Sequence, residues 1–202
     1  MPVITVFDIG YSDDTVILFV QVLAGEVRII DTYDANGRDL EHYADVIKGK
    51  PWASNYGKHW LPHDAQAKTL AAAGRSVYEQ FTKDHGLENV SILQNTNTEQ
   101  QGIMAARQLF PRLWIDARQE KFIDALTNFR REWDDSKKCF REKPVHDWTN
   151  HYADALRYLS WVWKEPVVKK PSTPNRTLSV GKKSTVTMDD LLKSVKRKKK
   201  YD

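Results

Sequence analysis

The chain opens with a dense run of β-branched and aromatic residues, residues 3–7, that ends in Asp8. Such a run is typical of a buried β-strand, and Gly10 follows where the backbone has to turn away. Two further runs of the same kind, residues 15–23 and 26–33, are separated by a single Ala-Gly pair. Strands joined by turns this short pair antiparallel. The sequence therefore predicts a three-stranded meander whose first strand ends in a carboxylate.

Helical and extended patterns alternate along the rest of the chain. Ser76 with Glu79 and Thr98 with Gln101 have the spacing of capping boxes that start helices. The patterns predict helices near residues 40–47, after Gly74, after Thr98, over 122–133 and from about Asp147 to Trp163, and strands at 58–64, 90–93 and 112–115. This order predicts an α/β fold, a mixed sheet of antiparallel and then parallel strands with helices on both faces.

The overall composition limits the class of protein. With 202 residues, 41% of them apolar and 29% charged, the chain is long enough for one globular domain with a substantial core. No apolar run reaches the length of a membrane span, and Asp8 interrupts any signal-peptide pattern. Cys139 is the only cysteine, which excludes an internal disulfide and a cysteine-paired zinc site. A cytoplasmic setting without a membrane partner is therefore expected.

Charge is distributed unevenly between the two ends of the chain. From Lys164 onward there are twelve Lys and Arg residues against four Asp and Glu residues, so residues 1–163 carry a net charge of −4 although the whole chain is at +4. We expect a folded domain over residues 1–163 and a flexible, basic, Pro- and Lys-rich tail over 164–202. Residues 187–195 have the pattern of a short amphipathic helix, and the tail is expected to bind anions or an acidic partner.

Three aspartates lie where a metal site would need them. Asp8 and Asp64 both end predicted strands, where a carboxylate is costly to bury without a positive partner. Asp154 lies on the predicted last helix, one turn after His151 and on the same helix face. If the two strands are neighbours, the three carboxylates meet at one end of the sheet. The alternative is that these aspartates only cap helices and turns.

A cluster of carboxylates favours a particular kind of ion and reaction. The negative charges repel one another unless a divalent cation binds them. Oxygen ligands with one imidazole suit Mg²⁺ or Mn²⁺ rather than zinc. Two such ions about 4 Å apart are a known arrangement for the attack of water on a phosphodiester.

Three segments carry a resemblance to a known family. They are residues 7–13 (FDIGYSD), 61–65 (LPHDA) and 151–158 (HYADALRY), and each contains one of the three aspartates. In this order they resemble the acidic motifs of the nuclease domain of the large terminase subunit of tailed bacteriophages, which has an RNase H-like fold. The resemblance covers about residues 3–163, and the three motifs together are more specific than any one alone.

The resemblance implies an activity and a role for each acidic residue. The activity is a metal-dependent endonuclease that cuts double-stranded DNA during viral genome packaging, with Mg²⁺ or Mn²⁺ as cofactor and two ions during catalysis. Asp8 is implied to bridge the two ions, while Asp64 and Asp154 each complete a coordination sphere. His151 stands where some members have a metal-binding histidine. Asp13 matches a further acid after the first motif, which is expected to support the ligands.

The resemblance also implies partners. Complete large subunits carry an ATPase motor ahead of the nuclease, and the nearest phosphate-loop pattern here, residues 181–185, lacks the earlier glycine. We therefore expect the nuclease portion alone, without nucleotide hydrolysis. In the full-length protein the expected partners are the ATPase domain of the same subunit, the portal protein, the small terminase subunit and double-stranded DNA. The expected location is the host cytoplasm, transiently on the procapsid portal.

Six basic residues are candidates for a DNA-binding track, the last four within a predicted basic hairpin or loop over 137–144: Lys68, Arg75, Lys137, Lys138, Arg141 and Lys143. Ordinary solvated charge is the alternative for each of them. Two other functions also stay open. One is a different RNase H-like nuclease, such as a junction resolvase or a transposase, and the other is a catalytically inactive module that docks the portal or the small subunit.

Overall fold

The computed structural model describes residues 1–10, 13–70, 72–94 and 98–164, together with the short strands 178–179 and 185–186. Within these residues, no helix is both long enough and apolar enough to cross a membrane. The chain divides into two compact units, Met1–Val168 and Lys169–Asp202.

The predicted antiparallel meander forms the centre of the sheet in the first unit. Its strands are β1 (Val3–Asp8), β2 (Thr15–Leu23) and β3 (Glu26–Ala35). Asp8 lies opposite Val16 on β2, and Val16 lies opposite Asp34 on β3. Ala24 and Gly25 join β2 to β3 with φ angles of 50° and 84°, the positive values that two-residue hairpin turns require.

The next strands along the chain include those that extend this meander into a mixed sheet. They are β4 (Tyr56–Leu61), β5 (Lys68–Thr69), β6 (Arg75–Ser76), β7 (Val90–Ile92) and β8 (Leu113–Ile115). β4, β7 and β8 pair in parallel with their neighbours, giving six strands in the order β7–β4–β1–β2–β3–β8. β5 and β6 form a separate two-stranded ladder. The predicted mixed sheet is therefore confirmed.

In the described part of the chain, α-helices cover the two faces of the sheet. They are α1 (Leu40–Lys48), α2 (Val77–Glu79, continued by a π-helical turn over Gln80–Asp84), α3 (Glu99–Leu109), α4 (Glu120–Asn128) and α5 (Thr149–Val162). Both predicted capping boxes are present, at Ser76 and at Thr98.

Each face of the sheet has its own apolar core. On one face, Phe7 and Ile17 of the sheet pack with residues of α1 and α2, such as Ile47 and Phe81. On the other face, residues of α3, α4 and α5 pack against a second set of sheet residues that includes Val6. Because successive strand residues point to opposite faces, Ile4, Val6 and Asp8 share the α5 side.

β4 ends earlier than the sequence analysis predicted. The strand stops at Leu61, whereas we expected it to continue to Asp64. Pro62 follows, and because proline has no N–H it cannot continue the hydrogen-bonded ladder. His63–Gln66 form a 3₁₀ turn, so Asp64 lies just beyond the strand instead of ending it. His63, the first residue of this turn, is exposed.

α4 is also shorter than predicted. It ends at Asn128, although the spacing of apolar residues predicted a helix as far as Trp133. The Thr127 hydroxyl and the Asn128 amide donate to the helix carbonyls of Ile123 and Asp124, at 2.8 Å each. Side chains that bond to the backbone in this way compete with helix continuation.

Trp133 lies instead on a β-hairpin. The hairpin consists of β9 (Arg131–Asp134) and β10 (Cys139–Pro144), which pair antiparallel. Trp133 and Phe140 face each other across it, edge to face, with ring centroids 5.1 Å apart. The basic segment 137–144, predicted as a hairpin or a loop, forms the end of the turn and the second strand of this longer hairpin.

The second unit is described only at β11 (Leu178–Ser179) and β12 (Thr185–Val186), which pair antiparallel. The predicted amphipathic helix over 187–195 and most of the segment 181–185 lie outside the described residues, as do the prolines of the predicted tail. The division into a domain over 1–163 and a flexible tail stays a prediction.

Candidate active site

Asp8 lies at the end of β1, on the face of the sheet that α5 covers. Its side chain is 14% exposed. Burial raises the pKa of the Asp8 carboxyl above its ordinary value, because the charged form loses its hydration. Just beyond the strand, the Thr15 hydroxyl donates to the carbonyl of Gly10 at 2.9 Å and closes the turn. The central strand thus holds a carboxylate whose charged form needs a positive partner.

α5 supplies such a partner in His151. Nδ1 of His151 lies 3.1 Å from Oδ2 of Asp8. This hydrogen bond raises the pKa of His151, and the charges of Asp8, Asp13 and Asp14 act in the same direction. Tyr152 and Leu159 of the same helix are fully buried in the core, which fixes the rotation of α5 and directs His151 toward β1.

Asp154 lies one helical turn after His151 and is held by Arg157. Nε and Nη2 of Arg157 lie 3.1 and 2.9 Å from Oδ1 of Asp154. Burial raises the pKa of Asp154 to about 6, the charge of Arg157 opposes that rise, and the charges of Asp8 and Glu99 add to it. Asp8 and Asp154 are therefore close enough to destabilise each other as anions.

Asp64 lies in the turn after β4, and its side chain is exposed. β4 pairs in parallel with β1, so the two strands end at the same edge of the sheet. The charge of Asp64 contributes to the raised pKa of Asp8. The pKa of Tyr158 is raised chiefly by burial, and the charges of Asp8, Asp154 and Asp64 all add to it. The structure thus brings the three aspartates into one electrostatic neighbourhood.

The donor groups at this site fit a hard divalent cation in their chemistry. They are carboxylate oxygens and one imidazole, and burial makes the anions of Asp8 and Asp154 costly without a cation nearby. However, within the described part of the chain no three His, Cys, Asp or Glu side chains stand as a group that could hold a metal ion. The aspartates share a neighbourhood without forming a closed ligand set.

Of the remaining predicted residues, Asp13 is exposed and acts on the site through the pKa of His151. Lys68 and Arg75 lie on the β5–β6 ladder that follows Asp64, and Arg75 forms an ion pair with Asp84.

The other four basic candidates lie on the β9–β10 hairpin. Lys138 and Arg141 pair with acids of the hairpin itself, Asp135 at 3.8 Å and Glu132 at 2.9 Å. Lys137 and Lys143 form no ion pair with any described residue. Two of the four charges are thus partly neutralised within the hairpin.

The base of the hairpin is attached to the start of α5. Nη1 of Arg130 lies 3.1 Å from Oδ2 of Asp147. Oδ1 of Asp147 accepts hydrogen bonds from the backbone N–H and the hydroxyl of Thr149, at 3.0 and 2.6 Å. Since Thr149 begins the helix that carries His151 and Asp154, the hairpin is attached to the same element that positions Asp154.

Sequence reasoning gave no role to three residues that shape this site. Arg157 belongs to the third motif, and its spacing from His151 and Asp154 placed it on their helix face. Glu99 and Tyr158 interact with the aspartates electrostatically. The position of Glu99 depends on how α3 packs against α5, for which the sequence has no local signal.

Comparison with known proteins identifies the family. A family model described as the terminase RNaseH-like domain matches residues 6–160. Among curated proteins, the large terminase subunit of Escherichia phage T5 is 27% identical over 155 residues, which are 75% of this chain and 33% of that protein. The chain thus spans about a third of the length of that relative.

Solved structures of large terminases share the fold. The large terminase of a thermophilic bacteriophage, in complex with ATP-gamma-S, matches with a TM-score of 0.57 and 16% identity, over 79% of this chain and 39% of that one. The nuclease domain of the bacteriophage SPP1 large terminase with bound Mn matches with a TM-score of 0.56 and 15% identity, over 78% and 84% of the two chains. The P22 large terminase nuclease domain matches with a TM-score of 0.56 and 18% identity, over 78% and 79%. These likenesses establish an RNase H-like fold, and the family match over most of its length shows that the chain belongs to the terminase RNase H-like domain family.

Proposed function

We propose that this chain is a metal-dependent endonuclease that cuts double-stranded DNA during viral genome packaging. The observation that carries the proposal is the convergence of Asp8, Asp64 and Asp154 at one sheet edge, where each acts on the pKa of a common neighbour, Tyr158. Membership of the terminase family supports the same function. The bound Mn of the SPP1 nuclease domain supports Mn²⁺ or Mg²⁺ as the cofactor.

The three aspartates would hold the cofactor, with His151 beside them. When bound, two such ions lower the pKa of the attacking water and stabilise the departing 3′ oxygen. His151 orients Asp8 by holding its Oδ2, and Asp13 supports this arrangement through its charge near His151. Because the side chains do not form a closed set as they stand, we expect the exposed Asp64 side chain to turn toward Asp8 when an ion binds.

The substrate is proposed to reach the site along basic side chains. The β9–β10 hairpin contributes Lys137, Lys138, Arg141 and Lys143, and the β5–β6 ladder contributes Lys68 and Arg75. Contacts of this kind bind phosphates without reading sequence, which suits a nuclease with little sequence preference. The basic residues after Lys164 are proposed to add affinity in the same way.

Further partners follow from the proposed role in packaging. The large terminase solved with ATP-gamma-S, of which this chain matches 39%, supports an ATPase domain in the full-length protein. The portal protein and the small terminase subunit are proposed partners, and the host cytoplasm with transient binding at the procapsid portal is the proposed location.

A plasmid-nicking assay tests the proposal. The protein is incubated with supercoiled plasmid in Mn²⁺ or Mg²⁺, and conversion to nicked and linear DNA is followed on a gel. We expect cleavage by the wild type and none by Asp8→Asn, Asp64→Asn or Asp154→Asn. Asp45→Asn is the matched control, because this exposed aspartate lies on α1, across the sheet from α5.

The same assay separates the rival functions. Full cleavage by Asp8→Asn or Asp154→Asn would refute the assigned site. Preference for branched DNA would favour a resolvase-type activity. No cleavage and no Mn²⁺ binding by the wild type would favour a docking module.

A further inference from the structure

We propose that Arg157 is a positioning residue for Asp154, and that Gly102 provides the space in which Arg157 lies. In this arrangement Arg157 holds one oxygen of the carboxylate and leaves the other available to the ion. The inference rests on the proposed function, because it concerns the affinity of the site for that ion.

The contacts of Arg157 support a positioning role. Its side chain is 14% exposed, and both of its close contacts, from Nε at 3.1 Å and Nη2 at 2.9 Å, reach the same oxygen, Oδ1 of Asp154. Within the described residues, Oδ2 of Asp154 accepts no hydrogen bond. Nε donates a hydrogen bond to this oxygen, and the charged Nη2 forms an ion pair with it. Charge-assisted hydrogen bonds of this kind are stronger than neutral ones and orient the carboxylate.

Asp8 is held in the same manner. Oδ2 of Asp8 is bonded to His151, and within the described residues its Oδ1 accepts no hydrogen bond. α5 thus carries one holder on each side of Asp154, at intervals of three residues. Each of these two partly buried carboxylates has one oxygen held by a basic residue of α5 and one oxygen available.

Gly102 on α3 makes room for Arg157. A Cβ atom built on Gly102 would lie 2.4 Å from both Cγ and Cδ of Arg157, and 2.9 Å from the ring of Trp161. Contacts this short force the Arg157 side chain to move. Glycine inside a helix costs about 1 kcal/mol relative to alanine, so its presence in α3 calls for a packing reason. The close approach of Arg157 is that reason.

A different role for Arg157 predicts the opposite effect. If Arg157 only neutralised Asp154, it would compete with the ion, and its removal would tighten ion binding. If it positions Asp154, its removal weakens binding, because the loss of a partner that orients a metal ligand typically costs about 10- to 100-fold in affinity. The sign of the change in affinity therefore separates the two roles.

The test is a calorimetric titration, in which Mn²⁺ is added to the full metal-free chain and the heat of binding gives the affinity. We expect Arg157→Gln to bind Mn²⁺ at least about 10-fold more weakly than the wild type. Arg157→Lys should fall between them, since lysine keeps the charge without the planar guanidinium group and its Nε donor. Arg118→Gln, which removes a similar Arg–Asp pair away from the site, should bind as the wild type does. Unchanged or tighter binding by Arg157→Gln would overturn the proposal.

A double-mutant cycle tests the role of Gly102. Gly102→Ala should weaken Mn²⁺ binding in the wild-type background. It should weaken it much less in Arg157→Ala, where the clashing Cγ and Cδ atoms are gone and only the Trp161 ring stays close to the added Cβ. Additive losses would show that Gly102 does not act through Arg157. Thermal unfolding of every variant separates reduced affinity from reduced folding.

The controls distinguish this inference from the proposed function. If the wild type binds Mn²⁺ and Asp154→Asn does not, the metal site is supported, independently of the result for the Arg157 variants. A wild type that binds no Mn²⁺ would overturn both conclusions.

Discussion

Acidification should destabilise this fold through His59, a histidine in the middle of β4. Its side chain is 3% exposed, and Nδ1 lies 2.8 Å from Oγ1 of Thr5 on β1. The ring also packs at 4.8 Å, between centroids, from that of Tyr56. Burial lowers the pKa of His59 from 6.5 to about 4, because the imidazolium would lose its hydration with no acid beside it.

The size of the effect follows from the difference between the folded and unfolded states. The unfolded chain binds a proton on His59 near pH 6.5, whereas the folded protein resists it until about pH 4. The contribution of neutral His59 to the free energy of unfolding is therefore fully present above pH 6.5 and is lost as the pH falls toward 4. At about 1.4 kcal/mol for each pKa unit, the loss amounts to about 3 kcal/mol. This is a large share of the roughly 5–15 kcal/mol that stabilises a typical domain.

Urea unfolding between pH 7 and pH 4 measures this loss. Other groups also titrate in that range, so the useful quantity is the difference between the wild type and His59→Gln, which keeps a polar side chain but cannot be protonated. We expect the wild type to lose about 3 kcal/mol more than the variant over this range. His63→Gln is the control, because His63 is exposed. Parallel stability curves for wild type and His59→Gln would refute the reasoning.

Three further predictions concern charge. Replacing both Lys137 and Lys143 with Gln should weaken the salt dependence of DNA binding and leave Mn²⁺ affinity unchanged. The slope of log affinity against log salt concentration should fall by up to about 1 for each phosphate that the lysines no longer neutralise. Filter binding at several salt concentrations measures this slope. Deleting residues 166–202 should weaken DNA binding at low salt and flatten its salt dependence without affecting Mn²⁺ binding; equal affinity at low salt would contradict a binding role for the tail. Burial raises the pKa of Asp154 to about 6, so its charged form destabilises the folded metal-free protein at pH 8. Asp154→Asn should therefore raise the melting temperature of the metal-free protein at pH 8 while abolishing Mn²⁺ binding. Calorimetry with and without the ion measures both effects.

The parts of the fold that were predicted from the sequence have local causes. Each strand of the meander is a continuous run of β-formers, and the turn at Ala24 and Gly25 allows only an antiparallel return. Both capping boxes lie within four residues of sequence, so their geometry does not depend on distant contacts.

The errors arose where two local signals disagree. Apolar spacing favoured a helix through Trp133, but the side-chain bonds of Thr127 and Asn128 mark the helix end. The extended pattern of residues 58–64 predicted a strand as far as Asp64, but Pro62 within it ends the hydrogen-bonded ladder. The second error left Asp64 at the predicted edge of the sheet, because only one turn separates Asp64 from the end of β4.

Only those features of the site that depend on the period of a strand or a helix could be predicted from the sequence. The period of a strand places Asp8 on the α5 face, and the period of a helix places Asp154 beside His151. The fit of Arg157 against Gly102 depends on the distance between α3 and α5, which no pattern in either helix specifies. The same holds for Glu99, whose charge reaches Asp154 from another helix.

α5 links the stability of the core to the charge balance of the site. Its fully buried residues, such as Tyr152, Ala155 and Leu159, fix its rotation and distance against the sheet. That rotation brings the basic groups of His151 and Arg157 to Asp8 and Asp154, and buried carboxylates without such partners are costly. We therefore expect the protein to fold without an ion. The stability that ion binding then adds grows with the logarithm of the ion concentration divided by its Kd. The helix contacts that hold the carboxylates affect this Kd, and they therefore also determine how far Mn²⁺ raises the melting temperature.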